Sequence, residues 1–484
     1  MKPDLMAAGA TPAGWLDAAA ADAALLPDFA RLCAFGGRLA GSGGDEAALA
    51  WALERLAPLG GQVRRVQVPY AGWRADRADL LLPGATAPLA CRALLRSAST
   101  APEGLVAEVL DLGQGRAEDF AAASARLRGR IALVRHEYPF SAAHLHRRRK
   151  YDMATAQGAA AFLIANPLPD HGLLSGSSGR PPGGAGIPAA YIDQAAASRL
   201  ACLPAGQAVR LTVLGHEQPG AQAGVAVWDL AGERDARIVI SAHIDGHDLG
   251  CSALDNATGV AVALAAARAL APRIGRGSNS LRLCLFSAEE WALAGSAEYL
   301  RGLPAGERAT LKLNLNLDTV AGDDRLTALT SGFAGLAPLV QAAGRLAGVA
   351  VGVHLPLMPN SDHANFAAAG VPALRLLAGF ERPDSRVRHI LSAHDQPDVV
   401  RPDELRQAVQ VQTVVSLVES GLGVALVPSV AARHATRHIV FRPLQGPGAD
   451  VEIGLALAWR AEREKPAARR FRETLQDLVG AAPA

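Results

Sequence analysis

The 484-residue chain lacks a net charge of either sign: 48 Lys and Arg stand against 46 Asp and Glu, a formal +2 at pH 7. Without a one-signed field it has no footprint for nucleic acid or an anionic membrane, so a peptide or small substrate fits better. Cysteine is sparse and scattered. Cys33, Cys91, Cys202, Cys251 and Cys284 form an odd set without a C-x-x-C, which argues against a disulfide framework or thiolate zinc site and reads as mostly small buried residues. No apolar run approaches the roughly 18 residues of a membrane span, and residues 1–10 lack the basic start and apolar stretch of a secretory signal. The expected compartment is the cytoplasm. A G-x-x-x-x-G-K-[ST] is also missing, so the glycines of residues 36–44 read as a turn and not a phosphate cradle.

Apolar residues are plentiful, half of the chain, enough for two or three domains. Residues 14–60 read as Ala-rich helices broken at 36–44, with Asp45 as N-cap of a helix to about residue 57 and a strand at 62–69. From about 100 to 205 the texture becomes β-like, with short runs at 105–110, 131–134, 160–164 and 187–192 and a Ser/Gly/Pro-rich loop at 174–186. The basic run 144–150 inside it reads as a solvated helix face. Between about 220 and 420 strands and helices alternate: 237–242 then 257–270, 281–286 then 291–300, 311–317 then 335–346. Such alternation predicts an α/β fold, a mixed, mostly parallel central sheet flanked by helices, with functional residues at strand ends.

Five donors lie in order along this region: His243, Asp255, Glu290, Asp318 and His394, with Glu289 beside the third. His243 ends the first strand and Asp255 opens the helix after it, so both can reach the crevice beyond the strand ends, where Asp255 could bridge two metal ions. Asp245 suits a supporting role, holding the His243 imidazole in the tautomer that leaves one nitrogen free. Glu289 and Glu290 cannot point in one direction, so one can bind metal while the other takes a proton from the attacking water. His247 and Cys251 read as loop residues. Asp362 and His363 read as shaping the site without binding metal.

These residues sit in segments that resemble the di-zinc aminopeptidase family, which also holds glutamate carboxypeptidase-like enzymes, glutaminyl cyclases and the non-catalytic transferrin receptors. The matching segments are S-A-H-I-D at 241–245, A-L-D-N-A-T-G at 253–259, F-S-A-E-E at 286–290, N-L-D at 316–318 and S-D-H-A-N-F-A-A-A-G-V-P-A at 361–373. R-L-A-G-S at 38–42 resembles the family's start, and 100–205 resembles a protease-associated domain. The resemblance implies a zinc exopeptidase fold with this β-rich domain inserted, two zinc ions sharing Asp255, and Glu289 as general base passing a proton to the leaving amine. It implies a peptide substrate, while the charge balance leaves neither nucleic acid nor membrane as an expected partner.

For the last ligand the family shows His-Thr-x-x-Asp, and two histidines are available here. His394 is preferred because Asp398 follows four positions on, whereas His389 needs extra residues before its Asp. Ala393 then stands where a Tyr can support the tetrahedral intermediate. The expected organisation is an N-terminal segment (1–99), a protease-associated-like domain (100–215), a catalytic domain (216–420) and an extension (421–484) resembling the end of a LysR-type effector-binding domain. That extension is expected to form a loosely docked strand pair and helix. The expected activity is that of a metallo-aminopeptidase. The competing expectations are a non-catalytic module of the transferrin-receptor kind, or a carboxypeptidase, deacylase or cyclase at the same metal pair.

Overall fold

A computed structural model of the chain describes residues 19–419. The LysR-like extension at 421–484 lies outside the described residues. Eight strands form the main sheet, in the spatial order Gln62–Pro69, Gln222–Leu230, Asn279–Phe286, Arg234–His243, Leu311–Leu317, Ala373–Ala378, Leu326–Leu329 and Val351–His354. The four from Asn279–Phe286 through Ala373–Ala378 run parallel. Gln222–Leu230 and Leu326–Leu329 pair antiparallel on either side of them, which makes the sheet mixed, as the alternation predicts. The parallel strands are covered on both faces: in Asn279–Phe286, Leu281, Leu283 and Leu285 are buried on one face and Arg282, Cys284 and Phe286 on the other.

Helix Thr258–Leu270 crosses one face of this sheet and is buried along nearly its whole length. Its alanines keep the helix thin enough to pack closely on the strands. Together with the turns flanking it, the stretch Ala253–Arg273 is long and apolar enough to cross a membrane, but 89% of its apolar window is buried inside the fold. It corrects the expectation that no such stretch exists, because Asp255, Asn256 and Thr258 break the run in sequence without making it polar overall.

Helix Gly43–Leu56 starts one turn earlier than expected. Ser42 is its N-cap, its Oγ accepting from the Asp45 amide at 3.2 Å, while Asp45 reaches back to accept from the Gly41 amide at 2.9 Å. Asp45 therefore closes the cap rather than being it.

A second, seven-stranded sheet lies between the first two strands of the main one in chain order. It runs Gly72–Leu81, Ala208–Gln218, Leu105–Asp111, Ile131–Arg135, Ala161–Ala165, Ala189–Ile192 and Cys91–Ala93. Gly72–Leu81 pairs antiparallel with Ala208–Gln218, so this sheet takes in residues that composition alone groups with the N-terminal segment. Helices Ala117–Leu127, Arg147–Ala156 and Gln194–Ala201 accompany it. The inserted layer is β-rich, as expected, with these helices packed beside its seven strands.

The basic run of this layer is not a solvated face. Lys150 is fully buried, its Nζ donating to the Gln114 and Arg135 carbonyls at 2.6 and 2.9 Å and pairing with Glu137 Oε1 at 2.9 Å. The inserted layer touches the main one through residues 138–142. Tyr138 donates to the Gly379 carbonyl at 2.6 Å, and Ser141 Oγ and the Ala142 amide donate to Glu381.

Candidate metal centre

Parallel pairing brings the strand ends to one edge of the sheet. His243 lies opposite Phe286, and Ser241 opposite Asn316, so His243, the Glu289-Glu290 turn and Asp318 emerge together. Asp255 joins them from the turn Ala253–Ala257 at the head of helix Thr258–Leu270. That helix head sits hard against the strand ending in Leu317: a Cβ on Gly259 would stand 2.2 Å from the Leu317 carbonyl oxygen, so only glycine fits.

His243 Nε2 lies 3.0 Å from Asp255 Oδ1 and 3.5 Å from Asp318 Oδ1. Two triads each have ligand atoms within 4.8 Å of one another, His243 with Glu289 and Asp318, and His243 with Asp255 and Glu290. All five side chains are buried. The shared residue of these triads is His243, where the sequence pattern expects Asp255. His243 Nε2 and Glu290 Oε1 have no hydrogen-bond partner among the described residues, although acceptors and donors stand close by. Ligand atoms that converge this closely without good hydrogen-bond geometry fit a cation held between them.

The charges call for the same thing. Burial first, and neighbouring carboxylates with it, pushes Glu289 and Glu290 well above the usual carboxylate range. Burial opposes a charged His243, but Glu289 and Asp318 outweigh it and hold the imidazole well above its ordinary value. Nitrogen and oxygen donors of this kind suit zinc.

Neighbouring groups hold these side chains in place. Asp245 accepts from the backbone amides of Glu289 and Glu290 at 3.2 and 3.3 Å, fixing the turn that carries both carboxylates. Its backbone carbonyl, not its carboxylate, is the close partner of His243 Nδ1, at 3.1 Å against 3.6 Å. The imidazole is oriented from residue 245, as the sequence suggests, but through the main chain. Under the site, Asn314 Nδ2 donates to Ser241 Oγ, which donates to Asn316 Oδ1, and Asn316 Nδ2 donates to Ser361 Oγ. Asp362 is buried beside the centre and accepts from Ser296 Oγ at 2.5 Å, and burial raises its carboxyl to about 7. His363 is buried and burial lowers it to about 3, so it stays neutral.

Several groups at the centre carry no signal in sequence spacing. Arg375, at the third position of strand Ala373–Ala378, places Nη2 3.0 Å from Asp318 Oδ2, with both side chains buried. In the metal-free protein, Arg375→Ala is expected to cost about 3–5 kcal/mol of unfolding free energy, because it strands a buried carboxylate. Urea unfolding at pH 7 measures this. Arg147 and Arg148 of the inserted layer line the same cleft as Asp255, Glu289, Glu290 and Asp318.

His394 is not brought to the centre. It is exposed, with its ring 4.9 Å from that of His171 and 5.9 Å from that of His389. The carboxylate of this segment that reaches inward is Asp395, which accepts from the Leu254 and Asp255 amides at 2.7 and 3.3 Å, whereas Asp398 is exposed. The spacing of His394 to Asp398 therefore matched a motif whose inward-facing member is another residue. His247, read from the sequence as a loop residue, is buried with Nε2 2.7 Å from Glu290 Oε2.

A buried cluster of one imidazole and four carboxylates, set at the ends of parallel strands, defines a metal-dependent hydrolase of the zinc exopeptidase class. Within that class, residues 225–415 match the model of peptidase family M28, and residues 86–200 match that of the PA domain. Residues 372–480 also match the LysR substrate binding domain, and most of that span lies outside the described residues.

The chain is 26% identical over 379 residues to aminopeptidase YwaD of Bacillus subtilis, covering 74% of this chain and 78% of that one. It is 25% identical over 409 residues to carboxypeptidase Q of Homo sapiens, covering 79% and 82%. The structure of a zinc aminopeptidase from Bacillus subtilis shares the fold, with TM-score 0.66 at 22% identity over 81% of this chain and 93% of the other.

Proposed function

We propose that this metallo-hydrolase is an aminopeptidase that removes N-terminal residues from peptides at a two-zinc centre, with Glu289 as general base. The observation that carries the reading is the convergence of His243, Asp255, Glu289, Glu290 and Asp318 at one sheet edge. His243, Asp255 and Asp318 would hold one ion and Asp255 and Glu290 the other, Asp255 being shared. When bound, the zinc ions supply Lewis acidity that polarises a scissile carbonyl and acidifies the attacking water.

The chain's own groups do the rest. Glu289 accepts the proton of the attacking water at its carboxylate and delivers it to the leaving amine nitrogen. Asp245 keeps Glu289 and Glu290 at their posts through their amides, and Arg375 holds the second oxygen of Asp318 so that the first points at the centre. The inserted layer contributes Arg147 and Arg148 to the lining of the cleft.

Those arginines support a second reading, in which a peptide's C-terminal carboxylate is gripped and the last peptide bond is hydrolysed, releasing the C-terminal residue. A hydrolysis screen with zinc separates the two. Aminoacyl anilides and amidated peptides with free amino termini are expected to be cleaved and N-acylated peptides spared. Cleavage of N-acylated peptides that requires a free C-terminal carboxylate would overturn the aminopeptidase reading in favour of the second.

A further inference from the structure

We propose that His247, and not a histidine of the segment 389–394, is the imidazole ligand completing the Asp255–Glu290 half of the metal centre. The inference rests on the two-zinc reading above and assigns the donor that reading leaves open.

The geometry on the Glu290 side resembles that on the His243 side. His247 Nε2 stands 2.7 Å from Glu290 Oε2, as His243 Nε2 stands 3.0 Å from Asp255 Oδ1. Two donors on one tetrahedral zinc, each about 2.0–2.2 Å from it, stand roughly 3.3 Å apart, so a small outward shift admits the ion. His247 is 2% exposed, and neither ring nitrogen has a hydrogen-bond partner among the described residues. Glu290 Oε1 is likewise without one. A buried imidazole and a buried carboxylate, facing each other with valence to spare, suit a shared cation.

The loop that carries His247 is held rigidly enough for this role. Arg38, fully buried, donates to the carbonyls of Ile244, Cys251 and Ser252 at 3.0, 2.7 and 3.1 Å, gripping both ends of the loop. The Gly246 amide donates to the Arg38 carbonyl at 2.9 Å, Ser252 Oγ donates to the His247 carbonyl at 3.3 Å, and Asp248 pairs with Arg92. Such support pre-organises a ligand. On the other side, the imidazoles of segment 389–394 group with His171, His394 exposed and His389 half-buried with Nδ1 unpartnered, and neither falls among the clustered donors; Leu391 lines the cleft, and Asp395 serves as a backbone acceptor. That segment offers the second ion no imidazole.

The test is zinc stoichiometry and affinity, by elemental analysis and competition with a chromophoric chelator, on wild type, His247→Ala and the surface double variant H389A/H394A. Wild type and the double variant are expected to hold about two zinc per chain, and His247→Ala about one, with the weaker site loosened more than about 100-fold. Loss of a group that merely orients a ligand costs 10–100-fold. A change below 100-fold in His247→Ala therefore makes His247 a positioning residue and overturns the proposal, as does loss of a zinc from H389A/H394A. His247→Asp, which keeps a ligating atom, is expected to recover the second zinc if His247→Ala fails to fold, and failure of His247→Asp to hold it counts against the assignment. A wild type that saturates at one zinc refutes the two-ion reading itself, a result distinct from any of these.

Discussion

Replacing Glu289 by Gln is expected to lower kcat by about 10²–10⁴-fold, the usual contribution of a positioned general base, with zinc content unchanged. Gln keeps the shape and the backbone contacts of the 287–290 turn, including the amide donated to Asp245 at 3.2 Å, but its side chain cannot take a proton. Glu289 lies within the triad that includes His243 and Asp318, so it is close enough to act on a water held there. A transition-state-only role predicts kcat and kcat/KM falling together and KM nearly constant. Loss of zinc from Glu289→Gln, with activity restored by excess zinc, would instead make the residue a ligand.

Removing zinc with a chelator is expected to abolish hydrolysis and to lower the thermal midpoint, both recovered on adding zinc back. A ligand present at about a thousand times its dissociation constant stabilises the folded state by about 4 kcal/mol. Among the groups left behind, Glu289 and Glu290 are raised by burial and His243 is raised by the carboxylates around it.

The sign of the pH dependence follows from these directions. A group whose folded pKa exceeds its unfolded value contributes stability below the unfolded pKa and loses it as pH rises toward the folded one. For Glu289 and Glu290 that loss begins above their ordinary value of 4.5, and for His243 above 6.5. Between pH 6.5 and 8 all three act in the same direction, so the metal-free protein should have a lower urea midpoint at pH 8 than at pH 6.5. Zinc, which favours the deprotonated ligands, should remove or reverse that slope. A metal-free protein with full activity, or with a pH slope matching that of the zinc-loaded form, would contradict this account.

Strands were legible as short Leu- or Val-rich runs bounded by turn residues, whether central and buried, as at 311–317, or at an exposed edge, as at 62–69. The reading at 311–317 coincides with strand Leu311–Leu317, and that at 62–69 with Gln62–Pro69. The edge of the inserted layer was not legible, because strand Gly72–Leu81 is assigned by its partner Ala208–Gln218, more than a hundred residues away. The helix carrying the basic run was misread for a related reason. Lys150 is charged and should face water, unless a carboxylate and two carbonyls meet it inside, and those come from Glu137, Arg135 and Gln114 on other elements.

The amino-acid sequence by itself determined the chemistry at the strand ends. Donors placed at the ends of apolar strands, or at the head of the helix that follows one, emerge at the edge of a parallel sheet, so His243, Asp255, Glu289, Glu290 and Asp318 could be named from local pattern alone. Tertiary structure decided which remaining imidazole faces them. His394 and His247 both sit in loops, where spacing carries little geometric information. Only the folding of those loops, one gripped by buried Arg38 and the other anchored inward through Asp395, turns the first outward and the second toward Glu290.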